Sequence, residues 1–552
     1  MSLRSYVSGP STVPLLGRTI GEELDRVATG MPDALAVVSR HQGVRLTYAE
    51  LRDVTDRAAR ALMALGVAKG DRVGIWSGNC VEWLVVQYAA AKVGAILVNV
   101  NPAYRRHELH YALGKSGVSV LVAARAFRQT DYLELLRSVV PELPGMDSVV
   151  LIGEGASGMQ GWEEFLALGT GRYADRVRQR EAALDFDDPV NIQYTSGTTG
   201  FPKGATLSHH NILNNGYFVG QGCGYTAEDR ICVPVPLYHC FGMVMGNLAA
   251  LTHGASVVYP AAAFDPTATL EAVEGERCTS LYGVPTMFIA ALEHPEFARY
   301  DLASLRTGIM AGSPCPVEVM KQVIGRMHMR DVTICYGMTE TSPVSFQTLA
   351  SDDLDRRTGT VGAVHPHVEC KVVDPETGLC VPRGHAGELL SRGYLVMLGY
   401  WDDESATSSS IDAAGWMHTG DLAVMREDGY VNIIGRIKDM VIRGGENIFP
   451  REVEEFLYRH PRIQDVQVIG VPDEKYGEEL CAWVILKPGA DVTAEEIRAF
   501  CRGQIATFKI PRYIRFSDGF PMTVTGKVRK VEMREVSIRE LALEGAADVR
   551  TA

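Results

Sequence analysis

The sequence predicts an α/β fold with a large N-terminal domain of parallel-sheet α/β layers, a small β-barrel-like subdomain, and a small α+β C-terminal domain. The first observation is an alternation of helical and strand patterns from about residue 46 to 280, which implies parallel sheets covered by helices. The second is a change of texture between about 359 and 436, to short runs punctuated by glycine and proline, as expected of antiparallel strands or a small barrel. The third is a compact helix, strand, strand, helix pattern after GRIKD at 435–439, of the size of a small domain. A boundary near Asp439 follows, giving domains over 1–438 and 439–552.

The elements can be taken in order. TYAELRDVTDRAARALMALGV places apolar residues at helical spacing, Gly70 punctuates, and DRVGIWS reads as a strand. The apolar stretch from Trp83 to Val100 is interrupted by Gln87 and Lys92, so it reads as a buried helix running into a strand rather than a membrane span. LVAAR (121–125), VVLIG (149–153) and ASVVYP (255–260) are further strands. Pro189 to Tyr194 is another, with a helix capped by Ser208 expected soon after. In the last domain PREVEEFLYRH and TAEEIRAFCRGQ are helices, the second opened by the capping-box pair Thr493 and Glu496.

Composition bounds the class. The 552 residues are 46% hydrophobic and 22% charged, ordinary for a globular chain able to bury a large core. A net charge of −13 with no dense basic stretch argues against a nucleic-acid partner. The eleven cysteines form no C-x-x-C pair, and the first twenty residues lack the apolar core of a signal peptide. Reduced thiols, a cytoplasmic location and no membrane span are therefore expected. The adjacent His239 and Cys240 lack partners at ligand spacing, which argues against zinc.

The chemistry concentrates in a few motifs. TSGTTGFPKG at 195–204 offers main-chain amides around Gly197, Gly200 and Gly204, hydroxyls from Thr195, Ser196, Thr198 and Thr199, and the ammonium of Lys203. That suits a polyphosphate, although a plain surface loop has the same composition. The Walker spacing is absent, which disfavours a P-loop NTPase. YGMTE at 336–340 gives an aromatic ring, a threonine and a carboxylate, Glu340, of a kind that can hold Mg²⁺. Read alone, it is equally a core tyrosine beside an exposed glutamate. Asp421 after the Thr419-Gly420 turn is by itself as much a turn residue as a ligand. Lys527 in PMTVTGKVRK, without context, belongs to a solvated basic face.

In this order the motifs resemble the adenylate-forming superfamily and, within it, the acyl-CoA synthetases, over about residues 20 to 535. The resemblance implies ATP, Mg²⁺ and CoA, with a carboxylic acid as substrate, and admits a homodimer without requiring one. It makes the 195–204 loop the pyrophosphate-side clamp, with Lys203 steadying the departing phosphates. Tyr336 with Gly337 would pack on adenine, Thr339 would contact phosphate, and Gly312, Ser313 and Pro314 would border the base. Asp421 would accept the ribose hydroxyls and Arg436 would contact the ribose or phosphate side. Glu340 would hold the metal, and Thr195 and Lys527 would complete the catalytic set. His239 would lie where the acyl tunnel meets the nucleotide, while Gly444, Gly445 and Glu446 would approach the thiol. The resemblance also implies that the small domain is mobile, rotating about Lys438 and Asp439. Phe241, Gly242 and Met243 supply no aspartate for an ammonium group, which disfavours an amino-acid substrate. A medium-chain or branched fatty acid is expected, with an aryl-CoA ligase or a ligase loading a carrier protein as alternatives.

Overall fold

The computed structural model describes residues 3–544 apart from 157, 196–201, 314, 445 and 524–527, and of residue 447 only the backbone. Two compact units are distinguished by their internal packing: Val7–Cys370 with Leu390–His418, and Met1–Tyr6 with Lys371–Leu389 and Thr419–Ala552.

Among the described residues the larger unit holds a two-stranded ladder of Ala126–Phe127 with Thr130–Asp131 and two large sheets. One has eight strands, in the order Gln160–Gly161, Ser148–Leu151, Val118–Ala123, Arg72–Trp76, Ile96–Asn99, Pro189–Thr195, Lys203–Ser208 and Gly399–Tyr400. Its first six strands are parallel and the last two join antiparallel. The other has nine strands, with a parallel centre formed by Leu35–Ser39, Ser256–Tyr259, Arg230–Cys232, Ser280–Gly283, Thr307–Ala311 and Asp331–Gly337. Strands such as Val118–Ala123 are apolar and buried except at Ser119, the pattern expected of a parallel sheet covered on both faces.

The helix Val81–Val93 ends at Gly94 in the left-handed region, φ +69°, where a side chain would be strained. Its polar residues Gln87 and Lys92 are buried and hydrogen-bonded. Lys92 is 2% exposed, with its ammonium 2.7 Å from Asp25, 2.8 Å from Asp56 and 3.3 Å from Glu181. Gln87 donates to the Met243 carbonyl at 3.3 Å and accepts from Asn247 at 2.8 Å. Among the described residues no helix is long and apolar enough to cross a membrane.

One expectation is corrected here. The segment after the 195–204 loop is first a strand, Lys203–Ser208, and only then the helix His209–Gly222 capped by Ser208. The loop therefore joins two antiparallel strands, not a strand and a helix. The cause is pairing on both sides: Thr195 lies opposite Lys203, while the Gly204 and Thr206 carbonyls accept from Trp401 and Leu398 amides. This strand is buried from Gly204 to Ser208. A helix there would leave both neighbouring edges unpaired.

Met417–Met425 pairs antiparallel with Val431–Arg436, within a five-stranded sheet that also contains Ala386–Gly393, Val368–Val373 and Tyr6–Ser8. The C-terminal part is the expected α+β body. Ile463–Asp473 and Gly477–Leu486 form its central hairpin, and the helices Pro450–Leu457 and Ala494–Cys501 close a core of Val453, Leu457, Val466, Leu480, Val484 and Ile497. Thr493 and Glu496 cap the latter helix reciprocally.

Candidate active site

In the larger unit the site begins where Pro189–Thr195 ends. The Thr195 hydroxyl donates to Glu340 Oε1 at 3.1 Å, and the Tyr400 hydroxyl donates to the same oxygen at 2.9 Å. Glu340 is 5% exposed and, among the described residues, has no ion-pair partner. A buried carboxylate with hydroxyl partners and no basic partner beside it is an environment that favours a cation. The Lys203 ammonium stands 5.0 Å from the Tyr400 ring centroid, on the opposite strand from Thr195. Burial and the Glu340 charge push the Tyr400 phenol well above its usual range, so it remains a donor.

YGMTE is shaped by close backbone approach. A Cβ at Gly337 would sit 1.8 Å from the Pro343 carbonyl oxygen, so only glycine fits. Tyr336 lies 6.2 Å from the Phe346 ring, and Thr339 and Glu340 start a short 3₁₀ turn. Gly312 follows the strand Thr307–Ala311 with φ +92°, and Ser313 is next to it. His239 caps the turn at Cys240, its Nδ1 accepting from the Phe241 amide at 3.2 Å, and Cys240 Sγ is 3.8 Å from Thr339 Oγ1. Thr195, Lys203, Glu340, Thr339 and His239 are thereby linked through Tyr400, Cys240 and short backbone segments.

In the other unit Asp421 and Arg436 are directly opposed across two strands, with Arg436 Nε donating to Asp421 Oδ1 at 3.1 Å. The turn before Asp421 is held at three points. Gly420, at φ +69°, donates its amide to Glu388 Oε1 at 3.1 Å. The Thr419 hydroxyl donates to the Leu389 carbonyl at 2.6 Å and accepts from the Asp421 amide at 3.1 Å. Gly444, at φ +58°, donates to the Tyr476 carbonyl at 2.8 Å, and Glu446 lies opposite Arg443. Ser196, Gly197, Thr198, Thr199, Gly200, Pro314, Gly445 and Lys527 lie outside the described residues.

Tyr400 and Glu388 were missed by sequence reasoning. Tyr400 is 60 residues from Glu340 along the chain, and only the pairing of Gly399–Tyr400 with Lys203–Ser208 brings it close. Glu388 had a weak signal, an acidic residue in the apolar run GELL.

The ligands this chemistry suits are anionic and oxygen-rich. Mg²⁺ takes oxygen ligands and commonly shares them with substrate phosphates. The Glu340 carboxylate and Thr195 hydroxyl fit it, and among the described residues no cluster of three or more His, Cys, Asp or Glu forms a rival cage.

A family model described as AMP-binding enzyme matches residues 24–401, and one described as AMP-binding enzyme C-terminal domain matches 452–527. The chain belongs to the AMP-binding enzyme family. It is 49% identical to the Bacillus subtilis (strain 168) protein named "Putative acyl-CoA synthetase YngI", covering 96% of this chain and 99% of the relative. It is 45% identical to a Danio rerio protein named medium-chain acyl-CoA ligase ACSF2, mitochondrial, covering 98% and 91%. Among solved structures, an anthranilate CoA ligase, AuaEII, in complex with anthranoyl-AMP, superposes with a TM-score of 0.84 at 27% identity, covering 96% of this chain and 99% of that one.

Proposed function

We propose that this protein is an AMP-forming acyl-CoA synthetase acting on medium-chain or branched fatty acids. The carboxylate of the acid attacks the α-phosphate of ATP and pyrophosphate leaves. The CoA thiol then attacks the acyl carbonyl, loses its proton, and releases AMP. The observation that carries this reading is the buried Glu340 carboxylate with the Thr195 and Tyr400 hydroxyls on it and Lys203 alongside, at the mouth of the 195–204 loop. When bound at Glu340, Mg²⁺ would neutralise polyphosphate charge. Thr195 and Tyr400 orient the carboxylate, and Lys203 adds a positive charge on the pyrophosphate side. Asp421 accepts ribose hydroxyls. Lys527 supplies the charge that stabilises the crowded phosphorus, where preorganised electrostatics matter most.

The medium-chain preference rests on the name of the Danio rerio relative and on the apolar PLYHCFGMVMG and LYGVPTMF segments. The likeness to an anthranilate CoA ligase supports aryl acids as a second reading. A domain division at 438/439, with rotation about Lys438 and Asp439 between half-reactions, is proposed on the family resemblance. So are a homodimer and a cytoplasmic location, the latter helped by eleven free cysteines. ATP–pyrophosphate exchange and a CoA-coupled assay across straight and branched acids, with benzoate, cinnamate and a carrier-protein acceptor included, test the assignment. No exchange with any acid would sink it, and preference for benzoate would favour the aryl reading. Lys527→Ala is expected to lower exchange by about a hundredfold or more, while CoA attack on preformed acyl-adenylate persists. Unchanged exchange would remove Lys527 from its role.

A further inference from the structure

The strand Pro189–Thr195 carries Asn191, Gln193 and Thr195 at alternate positions, so all three share one face. Thr195 reaches Glu340, while Asn191 and Gln193 are buried. Gln193 Nε2 donates to Asn191 Oδ1 at 2.9 Å. Asn191 Nδ2 donates to Asn99 Oδ1 at 3.0 Å and to the Leu97 carbonyl at 2.9 Å. Asn99, the last residue of Ile96–Asn99, lies opposite Gln193. Its Nδ2 donates to the Tyr238 carbonyl at 2.9 Å and to Met243 Sδ at 3.2 Å, and the same sulfur accepts from Gln193 Nε2 at 3.2 Å. Tyr238 and Met243 bracket His239.

The bracketed segment is braced from behind as well. Met243–Leu248 is a π-helical turn, a form that recurs at functional sites. Gln87 donates to the Met243 carbonyl and accepts from Asn247, whose Oδ1 accepts from the Tyr259 hydroxyl at 2.7 Å. Asn79 donates to the Val235 carbonyl and accepts from the Leu237 amide, both at 2.9 Å.

A packing role alone does not account for these residues. The neighbours Val190 and Ile192 show that aliphatic side chains are accommodated in this strand, and a buried amide costs about 1–3 kcal/mol whenever its partners are lost. What a satisfied ladder adds is fixed geometry. Here it spans two sheets: Asn99, Asn191, Gln193 and Thr195 belong to the eight-stranded sheet, whereas Tyr238–Met243 follows Arg230–Cys232 of the nine-stranded one.

We propose that the Gln193–Asn191–Asn99 ladder is a positioning device that sets the His239 segment against the Thr195 end of the phosphate-side strand, and so sets the approach of the acid carboxylate to the α-phosphate. The inference rests on the adenylation reading above. Misplacement of reacting groups by about 1 Å costs roughly a hundredfold in rate. Once acid and phosphate are joined in the adenylate, the ladder has no alignment left to perform, so the two half-reactions respond differently to its loss.

The test compares the wild type with Asn99→Leu, Gln193→Met and the double variant. It measures pyrophosphate exchange, and separately the single-turnover reaction of preformed acyl-adenylate with CoA. The expected result is a fall in adenylation kcat on the order of tenfold to a hundredfold. KM for ATP and the thioester step should change less than about threefold, and the double variant should be little worse than either single one. Gln193→Met keeps length and bulk and so guards against a misfolded Asn99 variant. Equal loss of both half-reactions, or adenylation unchanged in both single variants, overturns the ladder while leaving the adenylation reading intact. Wild-type protein that exchanges pyrophosphate with no acid overturns that reading and the ladder with it.

Discussion

Glu340 and Asp421 are both buried carboxylates beside a tight turn, yet their surroundings differ in sign. Glu340 has two hydroxyls on one oxygen and no basic partner among the described residues. Asp421 is opposite Arg436, whose guanidinium donates to it at 3.1 Å, on a turn held by Glu388 and the Leu389 carbonyl. A carboxylate left uncompensated attracts a metal, whereas one already neutralised serves better as an acceptor for uncharged hydroxyls. On the proposed function, the difference suits Glu340 to holding a cation and Asp421 to accepting sugar hydroxyls.

The comparison breaks most readily at Glu340. Glu340→Gln keeps the hydroxyl contacts and removes the charge, and should lower adenylation by about a hundredfold or more. A titration with Mg²⁺ should then require a higher concentration for half-maximal rate. An unchanged Mg²⁺ requirement would mean the charge serves something else. Asp421→Asn comes next, with an expected rise in KM for ATP of about tenfold, in line with one lost charged hydrogen bond. It should also narrow the preference for ATP over 2′-deoxy-ATP. A changed Mg²⁺ requirement with no effect on sugar preference would reverse the two roles.

The smallest effect on activity concerns pH, which acts through stability and keeps an acid-side loss from being ascribed to the carboxylates. Burial lowers His209 to about 4 and His365 to about 3 from an ordinary 6.5. Both are neutral when folded and take up a proton when unfolded, so their contribution is complete above 6.5 and drains away as pH falls toward the folded values. At pH 5 each costs about 2 kcal/mol relative to neutral pH. Thermal unfolding at pH 5 and 7.5 should show this, and His209→Asn, which keeps an acceptor for the Ile20 amide, should recover about half. An acid-side loss that moves instead with Glu340→Gln would place the sensitive group at the metal side.

Local patterns revealed a good deal of this molecule. Thr493 with Glu496 marked a helix start, and the buried run Trp83–Val100 marked helix then strand. What local pattern misses is pairing over distance. The strand Lys203–Ser208 was hidden because KGATLS has little strand character without its two neighbours. Tyr400 was hidden because its role depends on that same strand. The polar residues at 191, 193 and 99 were visible in the sequence, but nothing near them announces that they join in one ladder, or that Asn99 and Gln193 meet on the Met243 sulfur.

The cluster at Lys92 has a consequence for how such a chain changes over generations. Its ammonium is shared by Asp25, Asp56 and Glu181, which come from three other helices. Replacing the lysine alone would strand three acids, and replacing one acid alone would weaken the lysine's hold. Four positions spread over more than 150 residues are therefore constrained to change together, and a chimaera joined between residues 56 and 92 would take Lys92 from one parent and Asp25 and Asp56 from the other.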